Sequence, residues 1–346
     1  MTIASYTGGM NPQRTYELIT ALTTQLQAIG APMQIIIAGF AIVLVGCALL
    51  PLSLARRSSA LVAMASLLLV GEAVLAWYHY RLWQLAIVID PATGMMTGHV
   101  APPLWIESEK LYVWALITAL MGVFLRRHRE ELLPGIMLVV AALAAGGVLL
   151  GQPFSDPIPG FLGQYSAYLQ AMTTGGQAAM GAFQGMESAR QFYYNAWFMW
   201  VHPPLLFFSY GAFTISFLAT VQMMNRRHSA YETTAYRWAR LGYLPLTFGM
   251  LIGFPWALAA WTGEAWWWSG KVNMSIMMWL LYTAVLHARL YLRQRGMWQT
   301  VAVLGVLSFV ILILTYITTY VVPGAHSYAL LPDARALVAA IAGGAA

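Results

Sequence analysis

Long apolar runs alternate with short clusters of charge along this chain. Runs long enough to cross about 30 Å of hydrocarbon fall near 33–54, 59–87, 108–125, 133–151, 197–222, 240–261, 274–293 and 299–322. The third is the weakest, because Glu107, Glu109 and Lys110 crowd its start. This pattern predicts an all-α, polytopic integral membrane protein of about eight transmembrane helices. Upstream, Tyr16, Ile19, Leu22, Leu26 and Ile29 recur at helical spacing within 14–29, the mark of an amphipathic helix lying on the outer surface.

The arginines orient the bundle. Arg56 and Arg57 follow the first run, Arg126, Arg127 and Arg129 the third, Arg226, Arg227, Arg237 and Arg240 the fifth, and Arg289, Arg293 and Arg295 the seventh. Alternate loops thus hold twelve of the 18 Lys and Arg. Arg14, Arg81, Lys110, Arg190, Lys271 and Arg335 are shared among the other loops and the tails. Positive charge favours the cytoplasmic side, which puts both termini on the non-cytoplasmic side, in the cell's inner (cytoplasmic) membrane. The expected organisation is an outer amphipathic segment over 1–30, a transmembrane domain over 31–325 and a short outer tail over 326–346. The longest outer loop, 152–196, is rich in Gly, Gln, Ser and Tyr, and a second outer loop, 262–273, is rich in tryptophan. No basic stretch leads directly into an apolar core at the start, so no cleavable signal peptide is expected.

Composition agrees. Hydrophobic residues make up 60% of 346 and charged residues 9%, against about 25% charge in soluble domains. The net charge of +6 sits in loop clusters, which points to the lipid bilayer and not to nucleic acid. The single cysteine, Cys47, excludes an internal disulfide and any Cys-Cys metal site.

Seven histidines are the candidate chemistry. His128 and His228 sit beside arginines and read as solvated loop residues. His99, in GHVAPP, has nothing at metal spacing. His202 begins HPPLLFFSYGAF, just inside the fifth run, and His326 follows the eighth, in VVPGAHSYAL. Both fall at the outer interface, where each either ligates haem iron through neutral imidazole or hydrogen-bonds an interfacial carbonyl. Trp266, Trp267 and Trp268 are consecutive in the loop between them. They form either an aromatic belt or a platform against a porphyrin face. His287 lies within the seventh run, roughly 20 Å below its outer end at 1.5 Å per residue. Glu72 lies within the second run, with His79 seven residues on along the same helical face. It could orient a histidine, carry a proton or pair with another helix. His79 lies roughly 30 Å along the second helix, near the outer surface. That depth argues against His79 and His287 sharing one haem.

Several stretches carry a resemblance: PLWIESEKLYVWALI, LLGQPFSDPIPGFL, FMWVHPPLLFFSYGAFTISF, the tryptophan loop with WLLYTAVLHARL, and GAHSYAL. Together they resemble the cytochrome c assembly family of haem-handling membrane proteins (CcmF, CcsA and CcmC types), most nearly the first half of CcmF. The resemblance implies a tryptophan-rich haem-handling segment flanked by two external haem ligands, His202 and His326. It also implies a non-covalent, b-type haem and, for His287, a role as ligand to a second, intramembrane haem whose other ligand lies beyond this chain. The chain departs from the family where acids are expected after the tryptophans. Ser269, Gly270, Lys271 and Val272 stand there. LWIESEK also lacks the family's histidine.

The implied function is holding haem at the outer face for delivery or attachment to apocytochrome c, alongside other membrane subunits of a maturation complex. If this is catalysis, it is that of a haem lyase. The alternative is a degenerate lyase-like subunit of a respiratory or electron-transfer complex, with a permanent haem or a scaffolding role. A transporter would need broken helices and midplane charges, and only Glu72 and His287 qualify.

Overall fold

The computed structural model describes residues 12–85, 107–155, 157, 161–174, 177–178, 181–182, 197–260, 266–295 and 298–321. Among them there is no strand. Nine main helices follow in chain order: α1 (Pro12–Leu49), α2 (Leu54–Leu85), α3 (Lys110–Leu125), α4 (Leu133–Gly146), α5 (Phe161–Thr174), α6 (His202–Arg226), α7 (Ser229–Ala260), α8 (Gly270–Arg295) and α9 (Trp298–Val321). Each of the eight expected spans corresponds to a helix, the first ending at Leu49, and the protein is an all-α, polytopic membrane protein. Six helical segments, those of α1, α2, α4, α6, α7 and α9, are long and apolar enough to cross a membrane. The other two expected spans differ for separate reasons. α3 is apolar but has only 16 residues. α8 is longer but carries Lys271 and a basic end with Arg289, Arg293 and Arg295.

The helices pack around two cores, to both of which α3 and α6 contribute. In the first, α1, α2 and α4 enclose a core that includes Leu44, Leu61, Leu68, Met137 and Val140, and α3 adds Tyr112, Ala115 and Ala119. In the second, α6 to α9 enclose Phe213, Leu246, Tyr282 and Leu312, and α3 adds Val113 and Trp114. A helix buried on both sides must be apolar all round, which the sequence of α3 satisfies. Trp114 seals the join, with ring centroids 5.6 Å from Tyr210 and 5.4 Å from Tyr316. Within the second group Phe213 stacks on Tyr282 at 3.6 Å and Phe217 on Phe309 at 4.3 Å.

The segment read as a separate surface helix is continuous with the first span: residues 12–49 are one helix of 38 residues. Thr15, Ile19, Leu22, Thr23, Leu26 and Gly30 form its buried stripe. Thr23 hydrogen-bonds Tyr78 of α2 at 3.1 Å. Tyr16 stacks on Tyr165 of α5 at 5.6 Å, and the Tyr165 hydroxyl donates to the Pro12 carbonyl at 3.1 Å. The apolar stripe thus finds protein partners in α2 and α5, and α5 gives helical structure to part of the long connection 152–196.

At the arginine-rich end, Arg289 clamps α8 to α7. Its Nε donates to Glu232 Oε1 at 2.6 Å, and its guanidinium lies 3.7 Å over the Tyr236 ring.

Candidate functional site

At the opposite end of the bundle α3, α6 and α8 begin, and α7 and α9 finish. There they line a partly open cavity. Its walls are apolar and aromatic, with Leu206, Phe207, Met250, Phe254 and Tyr316 among them. Three basic side chains line it, His202, Lys110 and Lys271, and no carboxylate does so among the described residues.

His202 is the first residue of α6 and half-buried. Pro203 follows in the first turn, where a helix has no internal N–H bond to lose. The His202 Nδ1 lies 2.7 Å from the Gly249 carbonyl on α7. Only a protonated Nδ1 can make that bond, so the neutral ring presents an unprotonated Nε2. Such a bond orients an imidazole and sets its tautomer for ligation. One helical turn along α7, Gly253 leaves the room this ring needs. A Cβ there would come within 2.6 Å of the ring's Cε1 and 2.7 Å of its Nδ1. The Trp256 ring lies 5.8 Å from the His202 ring and completes its surroundings.

The three tryptophans form one 3₁₀ turn, Trp266–Trp268. With three residues per turn, consecutive side chains point in three directions. Trp266 is buried and lines the cavity, with its ring 6.0 Å from Phe254. Trp267 and Trp268 turn outward, 47% and 74% exposed. One tryptophan of the three therefore reaches the His202 cavity. His326 and His99 lie outside the described residues.

His287 is elsewhere, on an exposed face of α8. Its Nδ1 is 2.8 Å from the Thr283 carbonyl one turn back, and this leaves Nε2 directed away from the helix backbone.

Glu72 and His79 lie on the other side of α3. His79 Nε2 pairs with Glu109 Oε1 at 2.5 Å, with both side chains at 0% exposure. Glu109, and not Glu72, is the carboxylate that bonds this histidine. Both Glu72 oxygens, Glu109 Oε2 and His79 Nδ1 are buried without a hydrogen-bond partner among the described residues. Adjacent residues at the start of α3 therefore serve different sides, Glu109 facing α2 and Lys110 the cavity.

Sequence reasoning missed four parts of this arrangement: Lys110 and Lys271 as cavity residues, Glu109 as the partner of His79, and Gly253 as the space for His202. Two lysines in the first turns of apolar helices were the one available signal.

Comparison with known proteins gives the site a context. Residues 104–326 match the family described as "Cytochrome C assembly protein". Among curated relatives, the chain is 24% identical over 233 residues to the cytochrome c-type biogenesis protein CcmF of Pseudomonas fluorescens, covering 64% of this chain and 33% of that protein. It is 30% identical over 135 residues to the probable cytochrome c-type biogenesis protein NrfE of Escherichia coli, covering 37% and 24%. It is 37% identical over 100 residues to the cytochrome c biogenesis protein CcsA of Prochlorococcus marinus, covering 28% and 30%. The matched segments thus span a third or less of these relatives. No solved structure matches. The family match takes in α3, α6, the tryptophan turn, α8 and α9, and with them His202, Lys110 and Lys271. The chain belongs to the cytochrome c assembly protein family.

Proposed function

We propose that the chain holds haem in the His202 cavity at the non-cytoplasmic face of the inner membrane, for delivery or attachment to apocytochrome c. The observation that carries this reading is His202 itself, a histidine held by Gly249, accommodated by Gly253 and lining an apolar cavity. His202 would hold the haem iron through Nε2, together with His326. Trp266 offers an aromatic wall for the porphyrin, while Trp267 and Trp268 face outward toward lipid headgroups or a partner protein. Haem is held non-covalently. Attachment would add a cysteine S–H across a haem vinyl double bond, so the protein's part is to position two reactants. His287, with Nε2 facing away from its own helix, suits a second haem whose other ligand comes from another membrane subunit.

Pyridine haemochrome and optical spectra of the purified protein, beside His202→Ala and His326→Ala, test this. The expected result is non-covalent, low-spin haem in the wild type that is lost or becomes high-spin in both variants. A folded, haem-replete preparation with no bound haem would overturn the reading. Release of that haem to an apocytochrome c peptide marks a delivery protein, and retention with a reversible redox couple marks an electron-transfer subunit.

A further inference from the structure

Glu72, His79 and Glu109 take no part in the His202 cavity. Glu72 lies two turns below His79 on α2, about 10 Å deeper at 1.5 Å per residue, and within electrostatic reach of Glu109. No counter-charge faces it. From α3 it meets Glu109 and Tyr112, whose hydroxyl donates to the Leu68 carbonyl. α4 has no titratable residue. On α1, Arg14 and Glu17 are exposed, Tyr16 packs on Tyr165, and Cys47 lies at the far end. On α2 itself, Arg56 and Arg57 stand in the first turn, Tyr78 bonds Thr23, Tyr80 is exposed, and Arg81, also exposed, bonds Gln84. An ionised carboxyl with neither oxygen bonded is strongly disfavoured in an apolar core, and such a group takes a proton instead. Among the described residues no group of three His, Cys, Asp or Glu could hold a metal ion.

The bonding pattern is that of a relay. Its internal link, His79 Nε2 to Glu109 Oε1, is made at 2.5 Å. The atoms without a hydrogen-bond partner among the described residues are the remaining ends: His79 Nδ1, Glu109 Oε2 and both Glu72 oxygens. Buried polar atoms are nearly always bonded, so four such atoms on three side chains call for a cause. Ionisable side chains within a membrane commonly serve proton transfer. We infer that Glu72, Glu109 and His79 form a buried proton-exchange site, in which Glu72 stores a proton and the His79–Glu109 pair passes it to and from the outer end of α2. A neutral imidazole takes a proton on Nδ1 and releases another from Nε2. Glu109 accepts that proton and, after its carboxyl turns, gives it to Glu72. At each step one N–H or O–H bond forms as another breaks, and release runs the same steps backward. Among the described residues no other carboxyl, imidazole or basic side chain is buried, so the relay stops at Glu72 and does not cross the membrane. This proton site is independent of the haem cavity.

Infrared spectra of the full chain in lipid, taken at neutral pH and during exchange into D2O, test this. A protonated carboxyl gives a C=O stretching band separate from those of a carboxylate, and the band shifts when deuterium replaces the proton. The wild type is expected to show such a band, and the nearly isosteric Glu72→Gln to lose it. In the wild type the band should shift on exchange. In His79→Gln the shift should be about a hundredfold slower, the lower end of what one positioned acid–base group contributes. Glu109→Gln keeps an acceptor for His79 Nε2 but cannot carry a proton, so it should slow the shift likewise. Absence of any protonated-carboxyl band that Glu72→Gln removes would overturn the inference. So would a wild-type band that fails to shift, or one that shifts at the wild-type rate in either folded variant of the pair; Glu72 would then be a buried neutral acid and nothing more. Wild-type exchange and the Glu72→Gln comparison leave the buried pair intact, so they remain decisive if the variants of the pair do not fold.

Discussion

Gly253→Ala probes the seat of His202 without touching its chemistry. The added Cβ would stand 2.6 Å from the ring's Cε1 and 2.7 Å from its Nδ1, against about 3.5–4.0 Å for ordinary carbon contacts. The ring must recede by about 1 Å. That stretches the 2.7 Å bond to Gly249 to roughly 3.7 Å, beyond hydrogen-bond range. Losing one such bond costs about 1 kcal/mol of stability, and replacing a mid-helix glycine by alanine returns about 0.5–1 kcal/mol. The melting temperature should therefore stay close to that of the wild type. Ligation should not, because loss of an orienting partner weakens metal binding about 10–100-fold, or roughly 1.4–2.7 kcal/mol. Thermal unfolding and haem titration of the same preparations give both quantities. Gly39→Ala is the control, since a Cβ there meets nothing within 4 Å. Wild-type haem affinity and spectrum in Gly253→Ala would refute the argument, showing that His202 is not the ligand or that its ring needs no fixed seat.

Glu109→Ala should destabilise the fold by about 1–3 kcal/mol, since it leaves the buried His79 Nε2 without its partner; thermal unfolding equal to wild type would contradict that pairing. Tyr112→Phe removes a buried 2.7 Å bond to the Leu68 carbonyl and should cost about 0.5–1.5 kcal/mol in the same assay. Arg289→Lys keeps the charge but loses the fork on Glu232 and the stacking on Tyr236, so a lower melting temperature than wild type is expected despite the conserved charge. Trp266→Ala should weaken ligand binding in the cavity, whereas Trp268→Ala, at 74% exposure, should leave both ligand affinity and stability unchanged.

The sequence by itself determined the class and the spans. In hydrocarbon each spanning segment must satisfy its own backbone hydrogen bonds, so a run of some twenty apolar residues commits to a helix locally. For the same reason 14–29 was legible as an amphipathic helix. Its merger with the first span into a 38-residue helix was not, because a stripe with Ile19, Leu22 and Leu26 fits lipid, α2 or α5 equally well. α3 looked weakest because Glu109 and Lys110 crowd its start. It proved central because those two side chains diverge, one to His79 and the other to the cavity, a choice that only packing on both sides makes.

His202 was legible as a candidate from its place beside two prolines and near the outer interface. The bond to Gly249, 47 residues away, and the space left at Gly253 were not, since both depend on how α7 lies against α6. The tryptophan run announced an aromatic site, but the geometry of a 3₁₀ turn selected Trp266 for the cavity and turned its neighbours out. Lys110 and Lys271 are 161 positions apart in sequence, and only the convergence of α3 and α8 brings them to one rim. Helix formation here is a local matter of hydrogen bonding in lipid. Which faces meet is a non-local matter of packing, and that is why the spans could be read from the chain while the composition of the cavity had to come from the tertiary structure.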